Sequence, residues 1–225
     1  MEKPIIPDEM PFVNLLEHLS PEIHSELNAN SELLKLNKSD LIFGRYAPSE
    51  KMYIVKKGRV KLFTTDGEGK EVLKNLIHTG ELFGESAIFC KEKRDENAAA
   101  MDDQTEVLEL SGDAAAALMK KYPEFAYKLT LQITEKLRSA EKRIEALNFQ
   151  NSRTRIIEFL KDVARRQGRK VGYETLLRPF LTHQDIGSLT TTSRQTVSSV
   201  LNELKGSNKI YYDRHRLLIR DIAGL

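Results

Sequence analysis

The sequence predicts an α+β chain in three parts: an antiparallel, jelly-roll-like β-roll, one long helix, and a C-terminal unit of short helices and strands. Three observations predict it. From Asp40 to about Leu110, short alternating segments are separated by turn residues at regular spacing. From Asp113 to about Gln150 the apolar residues fall instead on three- and four-residue steps. After Asn151, short helical stripes alternate with strand-like runs. At 225 residues there is room for two modest cores. The boundaries fall at 1–115 for N-terminal helices and roll, 116–150 for the long helix and a hinge at Asn148–Ser152, and 151–225 for the C-terminal unit.

Composition excludes several classes. No run approaches the roughly 18 apolar residues of a membrane span, and MEKPIIPDEMPF lacks the basic-then-apolar order of a secretory signal. A cytoplasmic location without a membrane partner is the default. Cys90 is the only cysteine, so an intrachain disulfide and a thiolate-held cluster within one chain are both excluded. It reads as a small buried hydrophobe. Histidines 18, 24, 78, 183 and 215 form no spaced ligand pair, so they read as surface or capping residues rather than haem or metal ligands. There is no nucleophile–base pairing, metal spacing or phosphate loop, hence no catalytic residue to assign and no enzyme.

In chain order, residues 1–40 read as a polar leader with short helices. Leu15, Leu16, Leu19, Ile23 and Leu27 repeat at helical spacing, and Pro21 after Ser20 marks a helix start. Strands follow at Lys51–Lys57 and Arg59–Thr65, joined across Gly58. Asp66–Gly69 is a hairpin turn leading into Glu71–Ile77, then come Gly80–Ala87 and a last strand near Glu106–Leu110. Pro123 is tolerable in the first turn of the long helix. Along it Ala126, Ile133, Leu137, Ala140, Ile144 and Leu147 form a coiled-coil seam, with Thr130 the polar member, inside a highly charged exterior. Such a seam favours a parallel homodimer.

The C-terminal third carries fourteen basic against seven acidic side chains, a surplus of seven hidden in an overall charge of +2. That is the footprint of a protein that meets a polyanion. Its first helix, Arg153–Gln167, is stopped by Gly168, and short strands are expected at Lys170–Tyr173 and Leu176–Phe180. Thr182 then offers an oxygen to the helix beginning at His183, with Asp185 at near-capping-box spacing. Gly187 allows close approach, and Thr190, Thr191 and Thr192 break the pattern. Thr192 or Ser193 caps a second helix, whose inner face is Val197, Val200, Leu201 and Leu204. Its outer face shows Arg194, Gln195, Ser198 and Ser199, types that bond base edges or phosphates from a major groove. Lys209–Arg220 reads as a two-stranded wing. The unit is therefore a winged helix-turn-helix, and double-stranded DNA is the expected partner.

Tyr53, Gly58, Val60 and Leu62, the Gly67/Gly69 turn, and Gly80, Phe83, Gly84 and Glu85 resemble the cyclic-nucleotide-binding β-roll. From about residue 12 to 222 the chain is similar to transcription regulators of the cAMP receptor protein/FNR family. The resemblance implies an effector pocket around Phe83, Gly84, Glu85, Ser86, Ala87, Arg94, Asn97 and Ala98. It also implies dimerisation through Ile133, Leu137, Ala140, Ile144 and Leu147, a pseudo-palindromic operator with half-sites about 34 Å apart, and contact with RNA polymerase by activators. The family's phosphate-neutralising arginine aligns with Asp95 here, an acid that would repel a phosphate, and Arg94 is one residue away. The expectation is a roll that keeps its scaffold glycines but takes another small-molecule effector or none. No cofactor is assigned. A cAMP-type nucleotide regulator, or a scaffold module that does not bind DNA, stands as the alternative. On DNA, the resemblance places Thr182 and His183 at a phosphate and Arg194 on guanine, with Gln195 in place of a glutamate. Ser199 stands where the cAMP receptor protein has arginine, and Ser198 matches the FNR branch. Thr192, Ser193 and Thr196 complete the expected interface. Thr191 stands where a glycine commonly allows positive φ, at a cost for a β-branched residue.

Overall fold

The computed structural model describes residues 13–90, 92–178, 180–213 and 216–225. The leader before Val13, Pro179 in the expected strand Leu176–Phe180, and His215 in the wing lie outside the described residues. The chain forms two compact units, Met1–Ser139 and Ala140–Leu225.

The first unit runs α1 (Pro21–Ala29), β1 (Ser31–Leu36), β2 (Leu41–Phe43), β3 (Lys51–Lys57), β4 (Arg59–Thr65), β5 (Glu71–His78), β6 (Leu82–Phe83), α2 (Ser86–Phe89), β7 (Asn97–Ala100), β8 (Thr105–Ser111) and α3 (Gly112–Lys121). It ends in the first part of α4 (Pro123–Phe149). Two four-stranded antiparallel sheets, ordered β1-β8-β3-β6 and β2-β7-β4-β5, make the roll. Phe43, Val55, Val60, Ile77, Phe83 and Val107 pack between them. The other face of the first sheet, with Met52, Ile54, Leu108 and Leu110, is covered by Ile23 and Leu27 of α1 and Phe125 and Leu129 of α4. Covering on both faces explains why Met52–Val55 is a continuous apolar run. The β4–β5 turn is held by Asp66, whose Oδ1 accepts the N–H groups of Glu68 and Lys70 at 3.0 and 2.9 Å.

Three expectations are corrected. Ser31–Leu36 is a strand, where the sequence suggests more short helices. Among the described residues it is an edge strand pairing only with β8, and Leu33 stays 38% exposed, so its leucines carry no clean period of two. Leu15 and Leu19 are buried beside Ile23 and Leu27 but precede the helix, in a turn where His18 has φ 56°. Cys90 is free and exposed, because it caps the C-terminus of a four-residue helix in extended backbone, outside both sheets.

The second unit contains the end of α4, then α5 (Ser152–Gln167), β9 (Arg169–Val171), β10 (Glu174–Leu177), α6 (His183–Thr190), α7 (Arg194–Gly206), β11 (Ile210–Tyr212) and β12 (Leu217–Ile219). The wing is not a free two-stranded hairpin. It joins β9 and β10 in one sheet ordered β11-β12-β10-β9, through the pairs Thr175–Ile219, Leu176–Leu218 and Leu177–Leu217. Pairing across that line buries Leu177, Leu217 and Ile219 at positions whose spacing in sequence is long. Ile156 and Leu160 of α5 are fully buried in the same unit.

Phe125 is fully buried where α4 meets the roll. Phe125→Ala is expected to cost about 3–5 kcal/mol, read as a lower urea midpoint at unchanged slope. A loss below about 1 kcal/mol would show that α4 is not anchored there.

Candidate functional site

The start of α6 is a full capping box. Thr182 Oγ1 accepts the Asp185 N–H at 3.1 Å, and an Asp185 carboxylate oxygen accepts the Thr182 N–H at 3.1 Å. The Thr182 hydroxyl also donates to that carboxylate at 2.6 Å. Thr182 is thus spent on its own helix, and the N–H groups of the first turn are what it leaves for an anion.

The turn after α6 depends on Thr191, which adopts the left-handed region at φ 54°, ψ 51°. The Thr192 N–H reaches back to Gly187 O at 2.8 Å, a helix stop normally built on glycine. A left-handed β-branched residue costs roughly 1–2 kcal/mol, and three features hold it in place. Gly187 admits the returning chain, since a Cβ there would lie 2.8 Å from Thr192 O. Thr190 Oγ1 donates to Ile186 O at 2.7 Å and meets Thr192 Oγ1 at 2.9 Å. Arg155, on α5, donates to Thr190 O at 3.0 Å and Thr191 O at 3.1 Å.

Ser193 caps α7, accepting the Thr196 N–H at 3.0 Å and meeting the Thr196 hydroxyl at 2.9 Å. The hydroxyls of Thr192, Ser193 and Thr196 are therefore engaged locally. Val197, Val200, Leu201 and Leu204 are all buried, which turns the opposite face outward. Arg194, Gln195 and Ser199 are exposed and Ser198 half-buried, and among the described residues none of these four side chains makes a hydrogen bond. The first two turns of α7 thus offer a planar guanidinium, an amide and two hydroxyls to a ligand.

The wing reaches the same edge. The Tyr212 ring packs edge-on against His183, with centroids 5.7 Å apart, and its hydroxyl donates to Asn202 Oδ1 at 2.8 Å. Lys205 Nζ sits over the rings of Tyr211 and Tyr212 at 5.4 and 5.3 Å. Partial burial, and then the Arg194 charge, hold the His183 imidazole below its ordinary range. Tyr212 and Arg155 carry no sequence signal for this site, because only the fold brings β11 and α5 to the two helices, and Lys205 of α7 is singled out only by the rings the wing places beneath it.

Within the roll, Phe83 stacks on Tyr53 with centroids 4.9 Å apart and is fully buried, as is Ala98. Arg94 turns inward and is 5% exposed. One amino group donates to Gly84 O at 3.2 Å and the other to Lys51 O, while Nε is buried and finds no partner among the described residues. The guanidinium lies 4.3 Å from the centre of the Phe43 ring. Burial depresses its pKa, and desolvation pushes the Tyr53 hydroxyl up to about 12. Gly84 has φ +70°, and a Cβ on it would lie 2.7 Å from Arg94 Nη1, so guanidinium and glycine share one space. The neighbouring Asp95 faces outward, its side chain 82% exposed and 3.5 Å from Lys74 Nζ. The remaining expected pocket residues are engaged within the unit. Glu85 pairs with Lys136 of α4 at 2.9 Å, and Ser86 bonds Ser49 at 2.9 Å. Asn97 Oδ1 accepts the Arg45 N–H at 2.9 Å, and Ala87 is buried. From the same helix, Gln132 donates to Gly80 O at 2.6 Å and accepts the Leu82 N–H at 2.9 Å.

On α4, Ile133 is partly buried against the roll core, whereas Leu137, Ile144 and Leu147 are 59%, 61% and 46% exposed, and Ala140 is exposed. The helix buries a different face, through Phe125, Leu129 and Gln132.

Comparison with known proteins matches residues 33–122 to the cyclic nucleotide-binding domain and residues 154–225 to the Crp-like helix-turn-helix domain. Among curated relatives, the cyclic AMP receptor protein of Thermus thermophilus is 33% identical over 172 residues, 76% of each chain. The cAMP-activated global transcriptional regulator CRP of Haemophilus influenzae is 27% identical over 160 residues, 71% of each chain. Among solved structures, a CooA variant from Carboxydothermus hydrogenoformans superposes with a TM-score of 0.79 at 25% identity, covering 96% of this chain and 95% of that one. The c-di-GMP responsive regulator CLP of Xanthomonas campestris shares the fold at a TM-score of 0.73 and 20% identity, covering 88% of this chain and 98% of that one.

The lowered His183 value has a sign that can be checked. The unfolded chain takes up this proton first, so the stability tied to His183 is intact above the ordinary histidine range and falls as pH drops through it. An NMR titration should place the His183 midpoint below about 6.5, and Arg194→Ala should move it up. A midpoint at or above the ordinary value would remove this account.

Proposed function

The chain belongs to the Crp/Fnr family of transcription regulators, and on that premise we infer that it works as a homodimer reading a pseudo-palindromic operator with Arg194 and Gln195. The observation that carries this reading is the first turn of α7. Arg194 and Gln195 there are exposed, and their side chains make no hydrogen bond among the described residues, on a helix whose opposite face is buried. A guanidinium fork there suits the O6/N7 pair of guanine. Gln195 both donates and accepts, which suits adenine, and Ser198 and Ser199 contribute shorter reach. At the start of α6, Thr182 and His183 meet the backbone, the first by ordering the turn and the second through its N–H and ring. Thr192, Ser193 and Thr196 act by shaping the start of α7.

Leu137, Ala140, Ile144 and Leu147 supply the self-association face, with Ile133 at its roll end. Burying such exposed aliphatic residues against a second copy is what a coiled-coil seam requires. The domain division we favour sets a roll at 1–115, a dimer helix at 116–150 and a DNA-binding domain at 151–225. The relatives are transcription regulators rather than enzymes. Contact with RNA polymerase and a cytoplasmic location belong to the same reading. Among the described residues, no helix is long and apolar enough to cross a membrane.

The roll, in this reading, responds to an effector other than cAMP, or to none. Asp95 projects into solvent beside Lys74, and Arg94 is committed to two carbonyl groups inside the roll. A cyclic phosphate entering the roll would meet a buried guanidinium whose two amino groups are already given to carbonyls. The names of the relatives make cAMP the second reading.

Fluorescence anisotropy against a promoter library should find a palindrome bound tightly and in a salt-sensitive way. Lack of any sequence preference at all salt concentrations would defeat the regulator reading. Arg194→Ala should lose about 1–3 kcal/mol and relax preference at one base pair per half-site, whereas uniform weakening on all sequences would make Arg194 a phosphate contact. Calorimetric titration with cAMP should give no heat of binding at micromolar concentrations, and a micromolar affinity would overturn this view of the roll.

A further inference from the structure

Arg155 lies outside the predicted interface, yet its guanidinium answers two helix ends at once. Nη1 donates to Gln150 O at 2.8 Å, Nε to Thr190 O at 3.0 Å, and Nη2 to Thr191 O at 3.1 Å. Gln150 follows the last residue of α4 and still donates its own N–H to Ala146 O at 3.0 Å, so its carbonyl is an orphan at that helix end. Thr190 and Thr191 close α6, where carbonyls likewise lack partners and the helix dipole is negative. A planar fork with donors on three nitrogens can serve three carbonyls on two chain segments, and a lysine ammonium cannot match that geometry.

The segments so joined are functionally unlike. One is the junction at Gln150 and Asn151, where α4 stops and Asn151, capping α5 through its 2.9 Å bond from the Thr154 N–H, redirects the chain. The other is the left-handed turn at Thr191, which sets the path into Ser193 and hence the direction of α7. We propose that Arg155 is a positioning residue that locks the end of the long helix to the turn before the DNA-reading helix, so that a shift at Gln150 is passed to Arg194 and Gln195. This rests on the regulator reading above and adds the route by which the long helix governs the reading face. The linkage is physical: one planar guanidinium bonds both segments, so a shift of either strains its bonds to the other.

The test uses the full chain and its Arg155→Ala, Arg155→Lys, Thr191→Gly and Arg155→Ala/Thr191→Gly variants. Amide hydrogen exchange follows the N–H groups of Gln150 at one end and Thr191 and Thr192 at the other. With Arg155→Ala, exchange should quicken at both ends together, by about tenfold or more, and Arg155→Lys should give the same pattern to a smaller degree. Thr191→Gly relieves the left-handed residue, so in the double variant the turn should regain protection while Gln150 does not. The ratio of operator to random-sequence affinity should fall for Arg155→Ala and stay low in the double variant. Quickening at only one end would overturn the proposal. So would recovery of operator preference on adding Thr191→Gly, which would reduce Arg155 to a prop for the turn. If Arg155→Ala does not fold, Arg155→Lys decides by the same exchange criterion. The exchange arm needs no DNA, so failure of the intact chain to prefer any operator would count against the regulator reading alone.

Discussion

Burial of Val197, Val200, Leu201 and Leu204 determines which way the helix Arg194–Gly206 faces, and the rest of the C-terminal unit is arranged around that constraint. With four apolar side chains on one stripe, each worth roughly 1.5–3 kcal/mol when removed from water, the helix cannot roll without losing them. Arg194, Gln195 and Ser199 are left facing solvent as a consequence. Ile156 and Leu160 of the helix Ser152–Gln167 and Leu217 and Ile219 of the sheet are buried in the same unit.

Direction along the chain is set by polar groups instead. Thr182 and Asp185 start one helix, and Ser193 starts the next. Between them Thr191 takes a conformation that glycine would take at less cost. Its strain is met by neighbours that bind the carbonyls and hydroxyls of the turn, Arg155 among them. The turn is held by the hydroxyls of Thr190 and Thr192 together with Arg155 from outside it, so a glycine is not required there. The same economy of donors appears at His183, where Tyr212 packs the ring and Arg194 disfavours its protonation.

In the roll, a glycine loop and a buried cation share one space. Gly84 retains the positive φ that lets backbone come close, yet the group that comes close is the chain's own Arg94. A buried guanidinium is costly unless its donors are satisfied. Two carbonyls and the Phe43 ring offset part of that cost, and Nε is left over. Meanwhile the segment Gly80–Glu85 is gripped from the long helix by Gln132 and Lys136. Any change inside the roll that moves this segment must be felt by those two side chains.

Periodicity and capping are local, so the sequence by itself determined the roll strands from Lys51 to Ile77, the long helix, the capping residue Thr182, and the buried stripe of the last helix, while between Thr192 and Ser193 the structure chose Ser193 as the second cap. The cost at Thr191 was legible for the same reason, as a β-branched residue where positive φ is needed. The edge strand Ser31–Leu36 was not legible, because one partner and partial exposure leave no clear alternation. Nor was the exposure of Cys90, which depends on where a short helix points the chain. Tertiary structure alone decided the inward turn of Arg94, the packing of Tyr212 on His183, and the bonds from Arg155 to Gln150, Thr190 and Thr191. Each joins residues 10 or more positions apart, apart from the five-residue step from Arg155 to Gln150. That one step crosses a helix junction whose geometry the fold must first set, and long side chains reveal their partners only once the backbone has placed them.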